Sequence, residues 1–211
     1  MEHYLQSTFY FDYESPEIQE LISGFQQLTN QEIITQLYIH VRDQWRYNPY
    51  KIGLTAEHFK ASTIFNKGQA HCIDKSILYI AGLRALGIPA RLRLAKVSNH
   101  IAVERLEQKL GSNELAPHGL VEVFNGENWV KCSPVFNKEL CELYNVAPLD
   151  FDGINHAFMQ EYNRDNSKFM EYLEDYGSFE DVPLDFIKET FKNHYPMLYE
   201  QFKNADEANI N

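Results

Sequence analysis

Residues 68 to 91 constrain the fold more than any other stretch of this chain. They run Gly-Gln-Ala-His-Cys-Ile-Asp-Lys-Ser, continue through a mostly apolar segment to Leu86, and end in Gly-Ile-Pro-Ala-Arg. Residues 66 to 71 read as a loop. The apolar run after Cys72 then reads as a buried helix with Cys72 in its first turn. Gly87 supplies its C-terminal cap, and Pro89 prevents its continuation. Ala90, Leu92 and Leu94 alternate with Arg91 and Arg93, which is the period of a strand. The chain therefore places a thiol at the start of a buried helix.

Composition narrows what that thiol can serve. Thirty Asp plus Glu against nineteen Lys plus Arg give a net charge of -11 over 211 residues. A chain this acidic repels phosphate backbones, which argues against nucleic acid as a partner. The charge is segregated. Nine Lys plus Arg face three acids between Lys60 and Lys109, whereas three face twelve between Lys138 and Asp185. The basic middle and the acidic last third can attract one another within one fold. No apolar run is long enough to span a bilayer, and the N-terminus lacks a basic-then-apolar leader pattern, so neither membrane nor secretion is expected. The cysteines are Cys72, Cys132 and Cys141. An odd, irregular set argues against a disulfide framework and points to the cytoplasm. No metal-ligand spacing is present, and neither a metal nor a cofactor is expected. A single domain over residues 1–211 is expected, with a core at about 35–190.

Ser15-Pro16-Glu17 predicts a helix start, with Ile18, Leu21, Ile22 and Phe25 on one face. A second helix is predicted from about Asn30 to Trp45, carrying Ile33, Ile34, Leu37 and Val41. Residues 1–34 thus form a helical N-terminal extension. His118 to Phe124 and Glu127 to Ser133 read as two strands joined by a two-residue type I′ turn at Asn125-Gly126. Residues 169 to 173 are a strand or a short helix. Leu184 to Tyr199 is helical, and 184–211 forms a C-terminal helix and tail whose last residues fray.

Cys72 is the candidate nucleophile. The helix dipole at its N-terminus, together with Lys67 and His71, would lower the thiol below the ordinary cysteine range. The competing reading is a buried, inert thiol, since free cysteine is among the most buried residue types. The hairpin supplies a partner. With a two-residue turn, paired positions place His118 directly opposite Ser133, close enough for the ring to be oriented by the facing hydroxyl. Glu122 shares the His118 face but lies too far along the strand to orient it, and Trp129 would be its cross-strand neighbour. Asn137 could orient the ring if the strand bends. A thiol at a helix start with an imidazole on an adjoining strand matches the logic of cysteine hydrolases and acyltransferases. His3, His40, His58 and His194 read as surface or packing residues, His71 as an electrostatic influence, and Cys132 as core. Asn66 and Gln69 are possible side-chain donors to an oxyanion, beside the Cys72 N–H. Arg91 and Arg93 would meet either an acidic substrate or the acidic last third.

The run from Gly68 to Ser76, the block Gly82-Leu-Arg-Ala-Leu-Gly-Ile-Pro-Ala-Arg91, and His118-Gly-Leu-Val-Glu-Val-Phe followed by Trp129-Val-Lys-Cys-Ser-Pro resemble the transglutaminase-like superfamily. Val97 to Ala102, Leu149 to Gly153 and Met170-Glu-Tyr172 are similar to a bacterial subgroup of it. The resemblance implies a papain-like α+β fold, with the nucleophile helix packed on an antiparallel sheet. It implies Cys72 as nucleophile and His118 as base. The superfamily's Asp falls four residues after the strand Trp, where this chain has Ser133. A hydroxyl can accept from the ring but brings no charge, so His118 would be less strongly supported. The implied activity is a cysteine-dependent hydrolase of a peptide, isopeptide or side-chain amide, with a peptide or protein amide as substrate. A catalytically silent binding module and a protein-glutamine acyltransferase are the alternatives.

Overall fold

A computed structural model describes residues 1–101, 103–202 and 208–209. After a short 3-10 turn at Glu2–Leu5, helix α1 spans Pro16–Ile22 and α2 spans Asn30–Gln44. Their starts follow from side-chain caps. The Ser15 hydroxyl accepts from the Ile18 N–H, and Thr29 and Glu32 cap one another's backbone reciprocally. Short strands β1 (Arg46–Tyr47) and β2 (Lys51–Ile52), a second 3-10 turn (Glu57–Phe59), helix α3 (Ala61–Phe65) and strand β3 (Gln69–Ala70) lead to α4, Cys72–Ala85.

Helix α4 is the centre of the molecule. Every residue from Cys72 to Arg84 is buried. It packs against α1, α2 and α3 on one side and against β4 (Ala90–Asn99) and β5 (Glu114–Phe124) on the other. A helix buried around its whole circumference has neighbours on all sides, and its polar residues Asp74, Lys75 and Arg84 find hydrogen-bond partners inside the protein. Gly87 ends it with φ of 77°, a conformation that favours glycine.

Helix α5 (Val103–Leu110) connects β4 to β5, and β6 (Trp129–Cys132), α6 (Lys138–Leu143) and β7 (Met170–Phe179) follow. The main sheet has the order β6-β5-β4-β7, with every pair antiparallel. Of residues 169 to 173, open between helix and strand in the sequence, 170 to 173 begin β7. The predicted helix at 184–199 is broken into α7 (Leu184–His194) and α8 (Pro196–Phe202), because Pro196 has no N–H to continue the ladder. Ala208–Asn209 form β8 and pair with β2. Most of the expected fraying tail, and Ala102, lie outside the described residues. The architecture is the α+β arrangement expected, with the helix that carries Cys72 packed on an antiparallel sheet. No helix among the described residues is long and apolar enough to cross a membrane.

The hairpin differs from its prediction. Phe124 pairs with Trp129 and Val121 with Cys132. The connection is therefore four residues, 125–128, rather than two. Asn125 is the reason: its side-chain oxygen accepts from the Glu127 and Asn128 backbone N–H groups, at 3.1 and 2.9 Å, closing the turn through the side chain. The register moves by two residues. Glu122 faces Lys131, not Trp129; the ladder ends at Cys132, and its register aligns Ser133 with Leu120 rather than with His118.

Candidate active site

The site is assembled where β5 meets the first turn of α4. A Cβ placed on Gly119 would lie 2.8 Å from the Ile73 Cα and 3.0 Å from its nitrogen. The two backbones are thus in direct contact, and only glycine permits it. The Gly119 N–H reaches the Cys72 sulfur, as do the N–H groups of Ile73 and Cys72 itself. His118 precedes that glycine and lies near enough to His71 to feel its charge. Cys72, His118 and Ser133 are all buried, at 6%, 2% and 6% exposure.

Electrostatics at the sulfur run opposite to the sequence expectation. Burial dominates and pushes the Cys72 thiol up to about 11, against the three backbone donors that pull it down. The cations expected to activate it are otherwise engaged. Lys67 Nζ lies 3.1 Å from His58 Nδ1 and 3.9 Å from the Asp74 carboxylate. His71 caps α4: its Nδ1 accepts from the Asp74 N–H at 3.1 Å, and Asp74 returns the cap to the His71 N–H. An imidazole nitrogen that accepts from a backbone N–H carries no proton, and burial lowers His71 to about 4. The same burial, with His71 nearby, lowers His118 to about 4. At neutral pH the pair is thiol and neutral imidazole.

The third position is not engaged. His118 Nδ1 is buried without a hydrogen-bond partner. Ser133 is held through its backbone, its N–H donating to the Ala157 carbonyl at 3.1 Å and its carbonyl accepting from the Tyr38 hydroxyl at 2.8 Å. Among the described residues its hydroxyl makes no bond to the ring. Asn137 is also committed elsewhere, accepting from the Tyr47 N–H at 3.1 Å and donating to Glu139. Gln69 Oε1 accepts from Asn48 Nδ2 at 2.7 Å, which leaves the Gln69 amide as a donor three residues before the nucleophile. Asn66 donates to the Ser62 carbonyl.

Sequence reasoning missed two buried groups. His58, read as packing or surface, is 3% exposed and places Nε2 3.2 Å from Asp74 Oδ1. With His71 and Asp74 it forms the group of potential ligand atoms with metal-like spacing among the described residues, all within 4.8 Å of one another. The Lys67 ammonium lies against His58 and the capping box engages His71 Nδ1, while Asp74 Oδ1 is buried without a hydrogen-bond partner, so the cluster is a network of charged and polar groups at the start of α4. Lys75 is wholly buried, and its ammonium donates to the carbonyls of Arg42, Trp45 and Val135 at 2.6–2.8 Å. It joins the end of α2 to the segment following Ser133.

On the sheet, Arg91 and Arg93 close on Glu122 at 2.7 and 2.9 Å, and Arg93 also binds Asp175 of the acidic last third. Trp129 stacks on the Arg91 guanidinium at 4.2 Å. Cys132 is fully buried, as expected of a core residue. Cys72 itself lines a small cavity of about 40 Å³ with Leu115, Pro117, Phe191 and Tyr195. Tyr47 and Pro49 line both this cavity and a larger one.

The family model of the transglutaminase-like superfamily matches residues 19–134. That span includes Cys72, His118 and Ser133. No curated protein matches the chain. Among solved structures, a Cytophaga hutchinsonii protein described as a candidate cysteine protease is similar, at 19% identity and a TM-score of 0.45. The alignment covers 62% of this chain and 40% of that one, so the chain matches well under half the length of this relative.

Proposed function

Because the chain belongs to the transglutaminase-like superfamily, we propose that it is a cysteine-dependent hydrolase of amide bonds in a peptide or protein. The contact of Gly119 with Ile73 carries the proposal, since it fixes the strand bearing His118 against the turn bearing Cys72. His118 is neutral above about pH 4 and can act as a base through the neutral range. It takes the thiol proton as Sγ attacks the carbonyl, and returns it to the leaving amine. The acyl-thioester is then hydrolysed, with His118 deprotonating the water. The N–H groups directed at the sulfur neighbour the place where the oxyanion develops, and the Gln69 amide is a further donor. An acceptor amine in place of water would give transamidation by the same first half.

The unpartnered Nδ1 of His118 supports a second reading, a binding module that keeps the fold without efficient turnover. Alkylation separates the two. Iodoacetamide is expected to label Cys72 in the folded protein before Cys132 and Cys141, with a rate that falls at least about tenfold in His118→Ala. Ser133→Asp would supply charge to the imidazolium and keep or raise the rate. Labelling of all three cysteines only after unfolding would remove the nucleophile, and an unchanged rate in His118→Ala would remove the base.

A further inference from the structure

The larger cavity, about 240 Å³, opens beside the Cys72 cavity across Tyr47 and Pro49. Its position is tied to the nucleophile through the backbone. Strand β1 pairs in parallel with β3, so that Arg46 lies opposite Gln69 and Tyr47 opposite Ala70, two residues before Cys72. Its aromatic wall is continuous: the Tyr47 and Phe136 rings are 5.0 Å apart and those of Phe136 and Phe169 5.3 Å.

The charge on this cavity is the opposite of the molecule's. Although the chain carries thirty Asp and Glu, none is among the described lining residues, while Arg46 and Arg105 both are. Arg105 lies over the Tyr50 ring at 5.3 Å, which orients its guanidinium at the cavity wall. Neither arginine makes a salt bridge among the described residues. Glu139 feels Arg46 only weakly, being held first by Asn137. By contrast Arg42, Arg91 and Arg93 all sit on carboxylates. Two exposed guanidiniums that make no salt bridge among the described residues, on an aromatic-walled cavity in a protein of net charge -11, select for an anion carried by an apolar body.

We propose that this cavity binds an acidic segment of the peptide substrate, with Arg46 and Arg105 pairing to its carboxylates and the aromatic wall taking a flanking apolar side chain. The inference deepens the hydrolase reading by naming the substrate class of the same site. Its test is binding rather than turnover. In Cys72→Ala, fluorescence anisotropy would compare two labelled, end-capped pentapeptides, Ala-Glu-Phe-Glu-Ala and Ala-Gln-Phe-Gln-Ala. The acidic peptide is expected to bind at least about tenfold more tightly at low salt. The difference should shrink as salt rises and be lost in the double variant Arg46→Gln, Arg105→Gln. Equal binding of the two peptides, binding of neither, or a preference that survives the double variant would overturn it. Iodoacetamide labelling of Cys72 in the Arg variants should equal that of the parent, which also shows that they fold. Failure to label Cys72 in the parent would overturn the hydrolase reading and leave the peptide preference to be judged on its own.

Discussion

Around Cys72 two influences oppose one another: three backbone N–H groups favour a thiolate, and burial disfavours it more strongly. The consequence reaches the neighbouring histidines, which are buried neutral. Both His71 and His118 are lowered to about 4, against the ordinary value near 6.5 that they regain on unfolding. Between those values the unfolded chain binds more protons than the folded one. Stability is therefore full above about pH 6.5 and falls as pH drops toward 4, by about 1–3 kcal/mol per histidine. Urea midpoints measured from pH 7 to pH 4 should show this fall. In His71→Asn, which retains a capping side chain, the slope should be shallower. An unchanged slope would mean that His71 is not buried neutral. These residues also show what the chain hid. The helix start at Cys72 and the strand at His118 were legible because local capping and apolar pattern announce those elements. The Lys67–His58–Asp74 network was not, because His58 enters it from a 3-10 turn and only the tertiary fold brings it to the α4 start.

At the scale of elements, the proposed active site depends on β5 lying directly on the first turn of α4. Gly119→Ala forces a methyl to within 2.8 Å of the Ile73 Cα, where backbone rather than a flexible side chain must yield. Such overpacking costs about 1–3 kcal/mol. It should also slow Cys72 alkylation under conditions where circular dichroism shows the fold intact, because the imidazole moves with the strand. A variant that loses stability but labels at the parental rate would separate this contact from the site. The elements themselves were readable in outline. The caps at Ser15 and Gly87, the apolar length of α4 and the strand alternation after Pro89 are all local signals. The hairpin register was misread for an equally local reason. Asn-Gly suits a two-residue turn, but Asn125 spends its side chain on the backbone N–H groups of 127 and 128, and the loop widens to four residues. That shift removes the cross-strand facing on which an orienting role for Ser133 was built.

For the whole molecule, the segregated charge has a structural outcome. The basic middle meets the acidic last third across β4 and β7, where Arg93 binds Asp175 and Lys96 lies 3.5 Å from Glu174. The broader share of this pairing was not visible in the sequence, since Glu122 on β5 takes both Arg91 and Arg93 of β4, and Arg93 reaches on to Asp175 of β7, so that three strands are joined. The sheet also has an incomplete margin. Strand β6 pairs with β5 only from Val121 to Phe124, so the first part of β5 extends past its neighbour. There the Tyr195 hydroxyl accepts from the Ala116 N–H at 2.9 Å and donates to the Glu114 carbonyl at 2.6 Å. One phenol thus replaces the strand that is missing. A bare N–H and C=O at that margin would be a template on which a second chain could add by β-pairing. Tyr195→Phe keeps the ring but leaves both groups without that partner, and should raise the rate of aggregation on storage, followed by light scattering, with little change in the far-ultraviolet spectrum. A single hydroxyl near the end of the chain would then govern how long the protein stays in solution.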